Sequence, residues 1–265
     1  MLASDKMPWY SLIDGPADPR GGQFPIIRGG ITSSFFLLLF LGLHIHYFLP
    51  LWMRKRPAID VGPFMLIFSG IQFGINGGGF MITLALTQFG RETMTCERVI
   101  EDFKDTIVAY CGFAYFIVKF LDFGRIIFAT LRKKKSQTSL LNSLQISLLI
   151  LLIQSGVYFN PGGVGYFIGA VDTFLGCFTY SYYILTTAKY FKNVGLWKKR
   201  LVQLQTAGYT VLLIHALVFL LHPLCKGPKL FLCLQAAYGG SSLFSFVIKY
   251  PQFLIPFPKQ SFKLK

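Results

Sequence analysis

Histidine, a side chain that transfers protons near neutral pH and often binds metal ions, occurs only four times in this sequence. His44 and His46 are two residues apart, so on a helix they point to different faces. His215 and His222 are seven apart and share a helix face, a spacing that suits a haem or a metal. Either group needs further ligands. We therefore interpret these histidines as packed or interfacial, and we expect no metal and no cofactor.

The five cysteines also show no metal-binding spacing. They are Cys96, Cys111, Cys177, Cys225 and Cys233. No two of them form a C-x-x-C motif, so the sequence does not predict a zinc site. A disulfide stays open at this point because its connectivity depends on the fold.

These residues belong to a chain that is too apolar for an ordinary soluble domain, with 53% hydrophobic residues and a mean hydropathy of +0.53. A membrane-spanning helix needs roughly 20 apolar residues, and seven segments meet this requirement. We predict an all-α membrane protein, a seven-helix bundle that forms a single domain over residues 1–265. The predicted spans are about 31–50, 62–86, 106–128, 138–158, 164–187, 202–222 and 230–250.

One predicted span contains small residues at a spacing that favours helix packing. Gly70, Gly74 and Gly78 are four residues apart and share one helix face. Small residues in this arrangement let two membrane helices approach closely. We therefore predict that this face of the second span packs against another helix.

The charge of the loops alternates along the chain. The formal net charge is +15, but the basic residues lie beside the spans, which indicates lipid headgroups and argues against nucleic acid. The first, third and fifth loops are basic, and basic loops face the cytosol. We therefore predict a lumenal N-terminus and a cytosolic C-terminus. Cys96 and Cys225 then lie on the oxidising side, where a disulfide and two free thiols are both open.

A series of motifs runs without a gap from about residue 119 to residue 209. The motifs are Lys119, Asp122, Arg125-Ile126, Leu131-Arg132-Lys133-Lys134 with Gln137, Leu141 to Ile146, Gly162-Gly163, Tyr180-Ser181-Tyr182-Tyr183, Trp197-Lys198-Lys199 and Gln205. Their order resembles the very-long-chain fatty acid elongase family, with its K-x-x-E-x-x-D-T, L-R-K-K-x-x-Q and L-H-x-x-H-H elements. The resemblance implies that six helices enclose a tunnel and that one further helix completes the bundle. It also implies condensation of acyl-CoA with malonyl-CoA to 3-oxoacyl-CoA in the endoplasmic reticulum membrane.

The sequence departs from the family at the positions of the catalytic histidines. Asn142, Gln145 and Ile146 replace the box H-x-x-H-H, and Asp172 and Gly176 replace the later N-x-x-x-H. Imidazole can transfer protons and carry an acyl group near neutral pH. Asn and Gln can form hydrogen bonds but can neither titrate nor carry an acyl group, and Ile can do neither of these. We therefore expect the condensation activity to be lost or strongly altered, because removing several members of one catalytic unit leaves little activity.

The resemblance also implies the other members of the site. Lys119, Asp122 and Gln205 belong to the catalytic chamber by their motif positions. The substrate-binding positions are Arg132, Lys133, Lys134, Gln137, Tyr180, Tyr183, Lys198 and Lys199. Family members also have a cysteine pair in the loops that contain Cys96 and Cys225, which favours the disulfide between them.

Two residues are candidates to replace the missing histidines, and one charge needs a partner. The Cys177 thiol could carry an acyl group, although a buried cysteine is usually inert. His215 could point inward, but no acidic partner for it is apparent. Arg125 replaces a family aspartate. We weigh an ion pair with Asp122 or Asp172 against a side chain that extends to the membrane surface.

Alternative functions stay open from the sequence. The chain could be a non-catalytic partner of active elongases, or a pseudoenzyme that binds acyl-CoA. It could form an oligomer with itself or with other elongases. A seven-span receptor has the same predicted topology, but the sequence lacks D-R-Y and N-P-x-x-Y elements. By resemblance the expected ligands are acyl-CoA and malonyl-CoA, with membrane lipids around the bundle.

Overall fold

The computed structural model describes residues 18–87, 103–134, 138–159, 162–188, 194–222 and 229–251. In these ranges the chain forms seven long helices and no strand, which confirms the all-α class. The helices are α1 (Gly30–Met53), α2 (Gly62–Leu86), α3 (Phe103–Lys119, continued through a 3₁₀ turn at Phe120–Phe123 into Gly124–Leu131), α4 (Leu140–Phe159), α5 (Gly165–Thr187), α6 (Val194–Leu221) and α7 (Lys229–Lys249).

Six of the helices in the described ranges are long and apolar enough to cross a membrane. The other, α5, has 23 residues but buries the polar side chains Asp172, Thr173 and Thr179. The count of seven spans therefore stays a prediction. The helix bounds follow the predicted spans closely, except that α6 begins at Val194 rather than at residue 202. The basic segment before the predicted span is helical as well.

The contacts between helices arrange α2 to α7 in a closed ring. Helix α2 packs against α5, α5 against α6, and α6 against α7. Helix α7 packs against α4, α4 against α3, and α3 closes the ring against α2. Helix α1 lies outside the ring and packs against α4. This is the six-plus-one arrangement that the resemblance implied, and it brings residues distant in sequence to one interior.

Helix α4 packs between α1 and the ring. A larger fraction of its residues is buried than in any other of the six candidate membrane-spanning helices. Ile150 and Leu152 are fully buried in the apolar core. The buried side chain of Gln154 donates from Nε2 to the carbonyl of Gly30 at 2.7 Å. Gly30 has φ = 67°, a conformation that glycine adopts without steric cost. This bond gives the buried amide nitrogen a partner, whereas the side-chain oxygen of Gln154 has none among the described residues.

The prediction for the glycine face of α2 is wrong. A Cβ built on Gly70, Gly74 or Gly78 meets no atom within 4 Å, so this face is open. The close approach to α5 is made instead by Gly79, where a Cβ would lie 3.2 Å from Thr173 Cγ2. The reason is the polar side of α2, where Ser69, Gln72 and Asn76 are buried. Polar side chains in a membrane helix turn inward, and they set the rotation of α2.

Candidate functional site

A polar cavity of about 310 Å³ lies inside the ring, and all six ring helices contribute to its lining. It opens towards the end of the bundle where α3 and α7 end and α4 and α6 begin. Arg132, Lys198 and Lys249 lie at this end of their helices and line the cavity. The cavity is therefore reached from the side that the charge pattern predicts to be cytosolic.

The structure brings all five positions of the degenerate histidine motifs into this cavity. Asn142, Gln145 and Ile146 line it from α4, and Asp172 and Gly176 line it from α5. The Asn142 Oδ1 accepts a hydrogen bond from the ammonium group of Lys249 on α7. Gln145 Nε2 donates to the carbonyl of Ser241 at 3.4 Å. These two polar side chains thus serve as links to α7.

A buried ion pair crosses the centre of the ring from α3 to α5. Lys119 Nζ lies 2.5 Å from Asp172 Oδ2 and 3.4 Å from Asp122 Oδ2. The hydroxyl of Tyr115 donates to Asp172 Oδ2 at 2.5 Å, and that of Tyr238 donates to Asp172 Oδ1 at 3.4 Å. Both oxygens of the Asp172 carboxylate therefore have partners, as a buried charge requires.

The carboxylate of Asp122 is equally occupied. Its Oδ1 accepts hydrogen bonds from the hydroxyl of Tyr180 and, at 3.4 Å, from Gln72 Nε2. Its Oδ2 faces Lys119. The 3₁₀ turn at Phe120–Phe123 places Asp122 at the level of Lys119. The sequence did not single out Gln72, Tyr115 or Tyr238, although a polar side chain in an apolar span is a signal for an interior contact.

Arg125 lines the same cavity but takes no part in these ion pairs. In the described part of the chain, Asp122 and Asp172 pair with Lys119, and neither pairs with Arg125. The Arg125 Nε is buried and has no hydrogen-bond partner. Its Cζ lies 5.7 Å from the ring centroid of Tyr180, so the guanidinium stays inside the cavity. The structure thus forms none of the arrangements that we weighed for this residue.

The space beside Gly176 is already occupied by a side chain of α2. A Cβ built on Gly176 would overlap the side-chain oxygen of Asn76. Asn76 is held in place because its Nδ2 donates to the carbonyl of Gln72 at 2.7 Å. An imidazole at position 176 has no room unless Asn76 moves.

The two candidates for replacing the histidines lie outside the lining of the polar cavity. The Cys177 Sγ faces α2, 3.9 Å from the position of a Cβ on Gly77. His215 is buried and stacks on Phe167 with ring centroids 4.0 Å apart, and its Nδ1 is 3.0 Å from Gln235 Nε2. Cys177 and His215 are therefore packing residues in this structure.

The substrate-binding positions are divided by the fold. Tyr180, Tyr183, Arg132 and Lys198 line the cavity, whereas Lys133, Lys134 and Lys199 are not part of its lining. Lys198 Nζ lies 5.0 Å from the ring centroid of Tyr250 at the cavity mouth.

Gln205 lines the cavity from α6, and its Nε2 donates to Thr179 Oγ1 at 2.9 Å. Gln137, Cys96 and Cys225 lie outside the described residues. The disulfide between the two cysteines stays a prediction, which mass spectrometry of unreduced peptides can test.

A second cavity of about 260 Å³ lies towards the opposite end of the bundle and has a mainly apolar lining. Ile82 and Phe231 are among its walls, together with Tyr115. Tyr115 thus lines the apolar cavity and donates its hydroxyl to Asp172, which lines the polar cavity. The Tyr115–Asp172 hydrogen bond and the Lys119–Asp172 ion pair therefore stand between the two cavities.

The fold and the cavity define a helical membrane protein with an interior polar chamber. The family model of the ELO family, described as GNS1/SUR4, matches residues 28–255, and the chain belongs to this family. This membership connects the chain with fatty acid elongation and argues against the seven-span receptor.

Three curated relatives support the same assignment. A very long chain fatty acid elongase of Aedes aegypti is 27% identical over 247 residues, which cover 89% of this chain and 67% of the relative. Very long chain fatty acid elongase 7 of Drosophila melanogaster is 24% identical over 227 residues, 83% of this chain and 68% of the relative. Very long chain fatty acid elongase 4 of Mus musculus is 24% identical over 266 residues, 97% of this chain and 82% of the relative.

Proposed function

We propose that this protein binds long-chain acyl-CoA in the endoplasmic reticulum membrane but does not condense it with malonyl-CoA. The observation that carries the proposal is the composition of the polar cavity. All five positions of the degenerate histidine motifs line it, and none of them supplies an imidazole. The space for one of the missing rings, at Gly176, is taken by Asn76.

The groups left in the cavity cannot replace the lost chemistry. Condensation needs an acyl acceptor and a group that transfers protons. The Lys119 amine is already engaged by two carboxylates, Asp122 and Asp172. The described lining contains neither histidine nor cysteine. Loss of a whole catalytic unit is far more serious than loss of one member.

Binding, in contrast, is supported by what the chain retains. Arg132, Lys198 and Lys249 line the mouth of the polar cavity, where phosphate groups of CoA are favourable partners. The apolar cavity on the other side of the Lys119–Asp172 ion pair provides apolar surface against which an acyl chain can pack. Several relatives are named very long chain fatty acid elongases. A protein of this kind would hold acyl-CoA, alone or in an oligomer with active elongases.

The test is malonyl-dependent chain extension by the purified protein. Radiolabelled malonyl-CoA and long-chain acyl-CoA are supplied, with the mouse relative as the positive control and empty membranes as the blank. We expect no extended product above the blank, together with measurable acyl-CoA binding. Robust turnover would overturn the proposal.

Restoring the histidines gives a second test of the same proposal. Histidine is placed at positions 142, 145, 146 and 176, combined with Asn76→Ala to make room at Gly176. We expect little or no turnover, because the fixed charge of Arg125 in the same cavity disfavours a protonated imidazole. Turnover near that of the mouse relative would show that the missing histidines are the only defect.

A further inference from the structure

The polar cavity has more cationic than anionic side chains in its described lining. Its two carboxylates, Asp122 and Asp172, are outnumbered by the cations. Five cationic side chains line it, namely Lys119, Arg125, Arg132, Lys198 and Lys249. Both carboxylates are already occupied by Lys119 and by tyrosine hydroxyls. The cavity is therefore built to accept an anion from outside the chain.

Arg125 is the deep cation of this cavity whose hydrogen bonds are incomplete. Its Nε is buried without a hydrogen-bond partner among the described residues. Lys119 supplies only one positive charge for the two carboxylates, so Arg125 lacks an acceptor for a buried donor rather than a countercharge, and such a donor is costly. The contact with the ring of Tyr180, at 5.7 Å, offers only a weak cation–π attraction. The fork of a guanidinium matches a carboxylate, which it binds through two parallel hydrogen bonds.

The position of Arg125 separates it from the cations at the mouth. Arg125 is seven residues before Arg132 on α3, which corresponds to a depth of about 10 Å along the helix axis. CoA phosphates held by Arg132 and Lys198 would therefore stay too far out to accept a hydrogen bond from Arg125. The thioester carbonyl of an acyl-CoA offers one neutral acceptor, whereas a carboxylate offers two charged oxygens to the guanidinium.

We propose that Arg125 binds the carboxylate of an unesterified long-chain fatty acid in the polar cavity. The proposal rests on the proposed function, because it assigns a ligand class to the same chamber. The apolar tail would pack against the apolar parts of the wall, which include Phe68, Leu149 and Leu175. The chamber then distinguishes a free acid from an uncharged ester of the same chain.

The experiment compares the binding of palmitate, methyl palmitate and palmitoyl-CoA to the purified full-length protein in detergent. We expect the wild-type protein to bind palmitate at least about tenfold more tightly than methyl palmitate, since hydrogen bonds to charged groups are worth this much. Arg125→Gln should remove the preference, and Arg125→Lys should keep part of it. Arg54→Gln, the same change in an exposed loop, is the matched control and should keep all of it.

The outcomes separate the two proposals. Equal binding of palmitate and methyl palmitate by the wild-type protein, or an unchanged preference in Arg125→Gln, overturns the role of Arg125. The wild-type comparison and Arg125→Lys decide the question even if Arg125→Gln does not fold. Absence of palmitoyl-CoA binding overturns the proposed function, and a palmitate preference that depends on Arg125 would still support the carboxylate site.

Discussion

The side chain of Asn76 on α2 fills the space that a Cβ on Gly176 of α5 would need. By the resemblance Gly176 occupies the position of a family histidine, so an imidazole there and the Asn76 side chain would compete for the same space. Asn76 is buried and is tied to its own helix through Gln72. Reversing the loss therefore requires changes on two helices.

Gly176→Ala should destabilise the protein by about 1–3 kcal/mol, because the added methyl group is forced against Asn76 in a packed interior. Thermal unfolding in detergent measures the effect. Gly74→Ala on the open face of α2 is the control, and it should be neutral or slightly stabilising. Adding Asn76→Ala to Gly176→Ala should recover part of the loss. Equal melting temperatures for the two alanine variants would contradict the steric argument.

Lys119→Met should cost about 3–5 kcal/mol, because it leaves Asp172 and Asp122 as buried charges without their cation. Lys55→Met in an exposed loop should change stability by less than about 0.5 kcal/mol. Combining Lys119→Met with Asp172→Asn should cost less than the sum of the single changes, since one unpaired charge is then removed. Additive losses in thermal unfolding would argue against the ion pair.

Lys198→Glu should weaken acyl-CoA binding more than Lys199→Glu. Lys198 lines the mouth of the polar cavity, whereas its neighbour Lys199 is exposed and outside the lining. The two variants carry the same change of charge, so their long-range effect on a charged ligand is similar. A difference in acyl-CoA affinity then reports the contact of residue 198 with the ligand at the cavity mouth. We expect a loss of about tenfold or more for Lys198→Glu in equilibrium binding. Similar losses for both variants would indicate general attraction to a basic surface.

The alternating loop charge predicts opposite locations for the two termini. A glycosylation tag at the N-terminus should be modified in the lumen, and the same tag at the C-terminus should stay unmodified. Protease protection of intact membrane vesicles gives an independent reading. Both termini on one side would rule out seven spans and leave α5, the helix with the buried Asp172, as the element that does not cross the membrane.

The helix bounds could be predicted because membrane spans have a strong one-dimensional signal. A run of apolar residues bounded by charged loops marks a helix whatever its neighbours are, and six predicted spans lie within a few residues of the described helices. The start of α6 at Val194 was missed because its first turns carry the basic residues Lys198 and Lys199, which end an apolar run without ending a helix.

The sequence alone determined the membrane class, the resemblance to the elongases and the absence of the histidines. These properties depend on which residue types occur and in what order. The tertiary structure decided how the helices turn towards one another. It directed Gly70, Gly74 and Gly78 outward, placed Asn76 against Gly176 and left the buried Nε of Arg125 without a hydrogen-bond partner among the described residues. Such contacts depend on the rotation of each helix in the ring, which is set by packing and by burial of polar side chains from all six helices together.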